Sequence, residues 1–365
     1  MRIAIIGTRG IPNYHGGFEQ FSEYFSVYLV EQGHEVYVYN SSSHPYKKPK
    51  FKGVNIISCK DPEDRIGTAG QFIYDLNCIL DSRKRKYDII LQLGYTSNSI
   101  WHWLLPKNSK IVTNMDGLEW KRSKYKKPVQ KFLRFAEKLG VKSSDYLIAD
   151  SVGIQIYLRE EYNVESKYIA YGANVFQNSN ENILQKYKVE KNKYNLLIAR
   201  LEPENNIETI LDGVNASANN KRGPFLVIGK HETEFGEYLK KKFRNNTMIL
   251  FLGGIYNQDD LNNLRFFSNL YFHGHSVGGT NPSLLEAMAS NALIIANNNI
   301  FNKSILGKDA YYFNCSKDIS DLLLSVDKKN NIEILKNNEH KIMNTFNWEL
   351  INGEYEKYLL ECLQE

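Results

Sequence analysis

The stretch LYFHGHSVGGTNPSLLEAMA, residues 270–289, decides how the chain folds. Residues 270–272 are apolar and read as a short buried strand. Gly278 and Gly279 come next in a polar loop, where the lack of a side chain lets the backbone approach a ligand closely. Thr280 or Asn281 is placed to cap a helix, and Pro282 suits its first turn. A strand that runs through a glycine loop into a capped helix is the repeating unit of a doubly wound α/β domain. In such domains ligands bind beyond the carboxyl ends of the strands. Bare amides at the helix start suit a phosphate. Glu286 lies about one turn in, and a carboxylate, which only accepts hydrogen bonds, suits a ribose diol. The competing reading of Glu286 is a partly buried structural carboxylate, and that of His273 and His275 is packing.

Outward from this stretch the same alternation fills the chain. Strands are predicted at 195–199, 225–228, 248–252 and 293–296, with helices starting near Asn206, Glu232, Gln258 and Pro282. The first half repeats the pattern, with strands at 3–7, 35–40, 54–58, 88–93, 110–114 and 146–149. Phe18, Phe21, Phe25, Tyr28 and Leu29 step by three and four and form one apolar helix face that Gly33 ends. Residues 175–192 are polar and Asn-rich and read as an interdomain linker. Two parallel-sheet domains are therefore expected, over 1–174 and 175–345, closed by a helix over 346–365 that returns to the first.

The composition bounds the function. A chain of 365 residues, 42% hydrophobic and 24% charged, suits two soluble domains. No run approaches the length of a membrane span. The start, MRIAIIGTRG, lacks a small-residue cleavage site and reads as a first strand. Cys59, Cys78, Cys315 and Cys362 form no C-x-x-C pair, so a reducing cytoplasm is expected. The net charge of +5 is uneven: residues 1–170 hold 25 Lys/Arg against 18 Asp/Glu. Nine basic residues against Glu137 alone fall within 121–142. Such a run suits an anionic partner, with a solvated helix face as the plain alternative.

Three further loops carry candidate chemistry. GTRGIP at 7–12 and HGGFE at 15–19 lack the G-x-G-x-x-G spacing, and Asn40 stands where a dinucleotide fold ends its second strand in an acid. A nicotinamide enzyme is thus disfavoured, while Gly16 and Gly17 open a helix able to meet a diphosphate. Arg200 ends a central strand in RLEPEN, and its planar fork binds phosphate oxygens in pairs. An ion pair with Glu202 or Glu204 is the alternative. Asp116, in DGLEW at 116–120, could accept a bond from a sugar hydroxyl or could close a turn with Gly117.

On these motifs the chain resembles the retaining family-4 glycosyltransferases of GT-B fold. The early Gly-Gly loop maps to Gly16-Gly17, the arginine loop to Arg200-Leu201, and the glutamate helix motif to the span from Gly278 to Glu286. The combination GTRGIP, HGGFE, DGLEW, RLEPEN and HSVGGTNPSLLEAM is similar to the bacterial rhamnosyltransferase branch, which builds capsule, O-antigen or cell-wall polysaccharide. The resemblance implies two Rossmann-like doubly wound domains facing across a cleft. It also implies a retaining, metal-independent transfer of L-rhamnose from dTDP-rhamnose to a lipid-linked saccharide. No cofactor is implied beyond that donor substrate. A UDP- or GDP-hexose is the alternative donor. Asp116, Arg200 and Glu204 become the catalytic candidates. Gly16, Gly17, Arg200, Gly278, Gly279, Thr280, Asn281, Ser283 and Glu286 become the donor-binding candidates. Lys124, Lys126, Lys127 and Lys131 would face the acceptor or an anionic inner membrane surface, to which the enzyme would be peripherally attached. Two departures stand out: Gly278 replaces the first glutamate of the motif, and Asn205 replaces the usual phosphate lysine. The absent carboxylate at 278 is expected to suit a deoxy sugar. A sugar-nucleotide epimerase and a nucleic-acid-binding protein are the rival readings, and no recognised nucleic-acid motif supports the second.

Overall fold

A computed structural model describes residues 1–14, 16–217 and 223–364. The chain divides into two compact units. The first comprises Met1–Lys121, Tyr125–Tyr171 and Trp348–Glu365, and the second Arg122–Lys124 and Gly172–Asn347.

The first unit is built on an eight-stranded sheet. Its strands are β1 (Arg2–Ile6), β2 (Glu35–Ser41), β3 (Lys50–Phe51), β4 (Val54–Cys59), β5 (Ile89–Leu93), β6 (Lys110–Asn114), β7 (Tyr146–Ala149) and β8 (Lys167–Tyr168). They lie in the order β3-β4-β2-β1-β5-β6-β7-β8, parallel except for the β3–β4 pair. Around the sheet run α1 (Gly17–Glu31), α2 (Glu63–Ile66), α3 (Ala69–Ser82), α4 (Lys127–Ser143) and α5 (Val152–Tyr162). Central strands read as unbroken apolar runs because helices cover both faces; every residue of β5 is buried.

The second unit carries a fully parallel six-stranded sheet in the order β11-β10-β9-β12-β13-β14. Its strands are β9 (Asn195–Ile198), β10 (Phe225–Ile228), β11 (Ile249–Gly253), β12 (Leu270–His273), β13 (Ile294–Asn297) and β14 (Tyr311–Phe313). Its helices are α6 (Ile183–Lys186), α7 (Ile207–Ala216), α8 (Glu234–Phe243), α9 (Gln258–Phe267), α10 (Pro282–Ala289), α11 (Ile300–Leu306), α12 (Ser316–Ser325) and α13 (Ile332–Asn344). Leu197, Phe225, Val227, Phe272 and Ile295 from the strands share one core with Ile207, Leu211, Ile319 and Leu323 from the helices.

The last helix, α14 (Trp348–Cys362), belongs to the first unit. Its apolar stripe meets the aromatic face of α1. The Tyr355 ring lies 4.6 Å from that of Phe21, and Trp348 stacks on Tyr24 at 4.7 Å. Tyr28 donates to Glu356 at 2.9 Å, and Asn114 donates to the Tyr355 hydroxyl at 2.8 Å.

Two features lie beyond the sequence expectations. Residues 175–192, expected as an interdomain linker, are docked onto the second unit. Phe176 N–H bonds to the Ala289 carbonyl, Asn180 N–H to Asn263 Oδ1 at 2.6 Å, and Lys186 and Tyr187 both bind Asp260. The polar composition there serves docking onto α9 and α10. Strands β3, β8 and β14 lie outside the predicted set. They hold two or three residues each, too short for an alternating pattern to show.

Candidate functional site

Sheet order places the candidate site. In the second unit β9 lies between β10 and β12, so the chain leaves β9 in one direction and later returns on its other side. That reversal is where ligands bind in open parallel sheets, at the carboxyl ends of the strands. The loops after β9 and β12 are the two that the sequence marks as chemical, and they are laced together. Asn206 Nδ2 donates to the Gly274 carbonyl at 2.8 Å. Ser276 gives its hydroxyl to the Glu204 carbonyl at 2.7 Å and its N–H to the same oxygen at 3.3 Å. The approach is so close at Gly274 that a Cβ would sit 2.0 Å from the Asn205 carbonyl oxygen. Only glycine fits there.

Arg200 is exposed at the carboxyl end of β9. Neither carboxylate that competes for it in the sequence does so in the structure. Glu202 pairs with Lys124 at 3.8 Å and Glu204 with Arg122 at 3.9 Å. Asn205 turns inward and donates to the Arg200 carbonyl at 2.8 Å, so it closes the turn that presents the arginine. Glu204, a catalytic candidate in the sequence, is anchored in the structure. Its side chain is 3% exposed, and it receives the Ser123 hydroxyl at 2.8 Å. Lys124 belongs to the second unit and pairs with Glu202.

The glycine loop ends in α10. Asn281, not Thr280, is the cap: its side chain accepts from Ser283 N–H at 2.9 Å. That bond removes the Ser283 amide from the candidate phosphate donors. The Ser283 hydroxyl is also engaged, 2.9 Å from Tyr271 Oη and 3.3 Å from Arg265 Nη2. The amides of Gly278 and Gly279 make no hydrogen bond among the described residues. Gly278 has φ +127°, with open space where a Cβ would stand. Its glycine is required by backbone conformation, which removes the sugar-based argument for the missing carboxylate.

Glu286 is held by a residue that sequence reasoning missed. Arg265 on α9 has a side chain 1% exposed, and its Nη2 lies 2.7 Å from Glu286 Oε2. Its Nη1 donates to Asn262 Oδ1 at 3.0 Å. The available signal was a charge four residues after Leu261, on the helix face that this buried leucine marks. Glu286 is therefore in part a structural carboxylate.

His273 and His275 stack with centroids 4.4 Å apart. Both His273 nitrogens and His275 Nδ1 are buried without a hydrogen bond. Burial, then His275, then Arg265 push the His273 pKa well down. Burial, then Arg200 and Arg122, push His275 to about 3. Both rings are neutral at physiological pH. The His275 carbonyl is clamped by Asn299 at 2.9 Å and Asn302 at 3.1 Å.

In the first unit the reversal lies between β1 and β5. Gly16 caps α1 in extended conformation with no side-chain bond, and Gly17 is the first helical residue; His15 lies outside the described residues. Glu19 receives the Thr8 hydroxyl at 3.2 Å and Arg9 N–H at 2.9 Å, tying the loop after β1 to the helix start. Arg9 forks onto Glu63 at 2.9 and 3.2 Å. Burial raises Asp75 nearby to about 7. Asp116 sits half-buried in left-handed backbone at φ +53°, its N–H bonded to Asn114 Oδ1 at 3.0 Å. The Asn114 side chain thus closes the turn that leads into Asp116.

Lys126, Lys127 and Lys131 are exposed at the start of α4 and along it, with Val129 and Phe135 exposed among them. Glu137, the one acid in this run, is buried under the hydroxyls of Tyr95, Tyr157 and Tyr162. The outer face of α4 is thus basic and partly apolar.

Residues 179–343 match the family described as Glycosyl transferases group 1, and residues 1–174 match a domain of unknown function, DUF1972. No curated protein sequence matches the chain. Among solved structures it is similar to a sucrose-phosphate synthase from Thermosynechococcus elongatus, at 15% identity and a TM-score of 0.79, over 99% of this chain and 98% of that one. A glycosyltransferase from Rickettsia africae ESF-5 is similar at 16% identity and 0.74, over 100% and 99%. Anabaena Alr3699/HepE, in complex with UDP and glucose, is similar at 15% and 0.76, over 99% of each chain. At these identities the likeness establishes the fold, which is GT-B.

Proposed function

We propose, from the premise that residues 179–343 are a group 1 glycosyl transferase domain, that the chain transfers a sugar from a nucleotide diphosphate held by its second unit. The observation that carries this reading is the laced pair of loops after β9 and β12, of which the first carries exposed Arg200 and the second the unbonded amides of Gly278 and Gly279. Sugar transfer passes through an oxocarbenium-like state in which negative charge grows on the leaving diphosphate. Preorganised donors placed where that charge develops lower the barrier. Arg200 and the loop amides supply them without a metal in this reading. Configuration is retained, the leaving phosphate takes the acceptor proton, and Asp116 positions the acceptor hydroxyl.

The donor is dTDP-rhamnose in this reading, and the likeness of HSVGGTNPSLLEAM and DGLEW to the rhamnosyltransferase branch supports that choice alone. The acceptor is a lipid-linked saccharide. The basic outer face of α4, with Phe135 and Val129 exposed among its lysines, suits docking on the inner face of an anionic membrane. No helix among the described residues is long and apolar enough to cross a membrane. The test is competition among dTDP-rhamnose, UDP-glucose, UDP-galactose and GDP-mannose with a lipid-linked acceptor. Preferred turnover of dTDP-rhamnose is expected. Turnover of a UDP- or GDP-sugar alone would overturn the donor and leave the transferase reading standing.

A further inference from the structure

We propose that the aromatic surface around Trp103 enters the headgroup layer of an anionic bilayer, so that apolar insertion as well as charge holds the chain there. The proposal rests on the reading of α4 as a membrane-docking face and names the residues that enter the lipid.

Helix α4 carries three stripes, each stepping by three or four residues. Leu133, Ala136, Glu137 and Gly140 form the buried one. Lys127, Lys131, Arg134 and Lys138 form the exposed outer one, in which Arg134 pairs with Glu161. Between them run Phe132, Phe135 and Leu139. This third stripe turns toward α3, since the Phe132 ring lies 5.7 Å from that of Phe72. It also reaches solvent, with Phe135 55% exposed.

A second element extends the stripe. The 3-10 segment Ser99–Leu104 packs on both α3 and α4. Its Trp101 is half-buried and fastened, the indole N–H donating to the Phe72 carbonyl at 2.8 Å. Two residues on, Trp103 is 61% exposed, its ring set edge-on against Trp101 at 5.9 Å and His102 at 5.2 Å. Phe72 thus joins the two elements, its carbonyl holding Trp101 and its ring meeting Phe132. A run of rings from Trp103 to the Phe132 stripe lies beside the lysines.

Clustered exposed apolar side chains mark an interaction site, and the charge around them says for what. The one acid of α4, Glu137, is buried, so the helix shows lysines and no carboxylate to solvent. Arg83 donates to the Leu104 carbonyl at 3.2 Å and Lys107 is exposed, which adds cations at the end of the Trp103 segment. Aromatic rings bordered by cations match the layer between acyl chains and anionic headgroups, where indoles settle. A second copy of this chain would bring the same cations to the face and be repelled. Helix α4 also packs on Glu119–Lys121, just after Asp116, so a bilayer here brings a lipid-linked acceptor to the Asp116 loop.

The experiment measures binding to vesicles of phosphatidylcholine alone and of phosphatidylcholine with phosphatidylglycerol, the second also made with brominated acyl chains that quench indole on contact. Trp103→Ala should weaken binding to the anionic vesicles by about tenfold or more, as loss of a partly buried indole does, and Trp103→Phe by much less. At about 1 M salt, where the Debye length is about 3 Å, wild-type binding should fall but persist, and that of Trp103→Ala should vanish. Brominated chains should quench the wild type, and Trp103→Phe should remove most of the quenching. Both variants should melt with the wild type, because the side chain is exposed. Wild-type affinity in Trp103→Ala, or fluorescence indifferent to brominated chains, overturns insertion and leaves docking by charge standing. If the wild type binds neither vesicle, the docking reading falls and this one with it. A lipid-free dimer that Trp103→Ala dissociates would assign the surface to a second copy and overturn the proposal as well.

Discussion

Glu286→Gln removes the negative charge from a pair whose other half is sealed. The Arg265 side chain is 1% exposed, with Nη2 at 2.7 Å from Glu286 Oε2, and its Nε has no hydrogen-bond partner. Ser283 and Asn262 remain as acceptors at 3.3 and 3.0 Å, but neither carries charge. Breaking a buried ion pair by neutralising one partner costs about 3–5 kcal/mol. Two features favour the lower end: Glu286 is 19% exposed, and the new amide oxygen still accepts from the guanidinium. A loss of about 3 kcal/mol in a domain of this size lowers the melting temperature by about 6–12 °C, at about 2–4 °C per kcal/mol. The assay is differential scanning calorimetry of the second unit's transition near neutral pH, beside nucleoside diphosphate titration. Arg265→Met added to Glu286→Gln removes the stranded cation and should recover most of the loss. If Glu286→Gln melts with the wild type while nucleotide affinity falls, the carboxylate serves the ribose alone and the stability argument is wrong.

Arg200→Ala should reduce turnover by about 10²-fold or more, as loss of one charge-stabilising donor does, and Arg200→Lys should restore only part because the fork is lost; wild-type kcat in Arg200→Ala would remove the assignment. Reversing Lys126, Lys127 and Lys131 to Glu should release the chain from anionic vesicles. Each basic residue contributes about 1 kcal/mol, screened by salt, so binding indifferent to both charge and salt would refute the docking face. His273 and His275 are held neutral in the fold and regain a pKa near 6.5 on unfolding, so unfolding takes up protons. Their contribution to stability is whole above about pH 6.5 and is lost as pH falls toward the lowered folded values, by up to about 2.7 kcal/mol per pH unit for the pair. Denaturant melts across that range should show the slope, and His275→Phe should remove about half of it; an unaltered slope would mean the rings titrate normally.

Much of the fold was legible because parallel strands covered on both faces are short apolar runs between amphipathic helices. Predicted and observed bounds for β6, β7 and β10 coincide, and those of the other longer strands differ by one residue. The edges β3, β8 and β14 were illegible, since two or three residues carry no periodicity. The docking of segment 175–192 was illegible because polar composition marks a loose linker and a docked one alike, and only its bonds to α9 and α10 show the docking.

At the candidate site, the sequence by itself determined which chemically distinctive residues fall in loops just after strands. Arg200, Gly278, Gly279 and Asn281 stand just after strands, and in this architecture the loops that leave the carboxyl ends of strands form the binding edge. The sequence could not assign the partners of charged side chains, because ion pairing depends on distances between residues far apart in the chain. Only the tertiary structure set Glu204 against Arg122 and Ser123, gave Lys124 to Glu202, and set buried Arg265 against Glu286. It also showed that Gly278 holds a φ of +127°, a conformation that favours glycine. Local pattern is written in consecutive residues, so it can be read from them. The choice among several carboxylates for one guanidinium is made by packing, which brings position 122 beside 204 and position 265 beside 286.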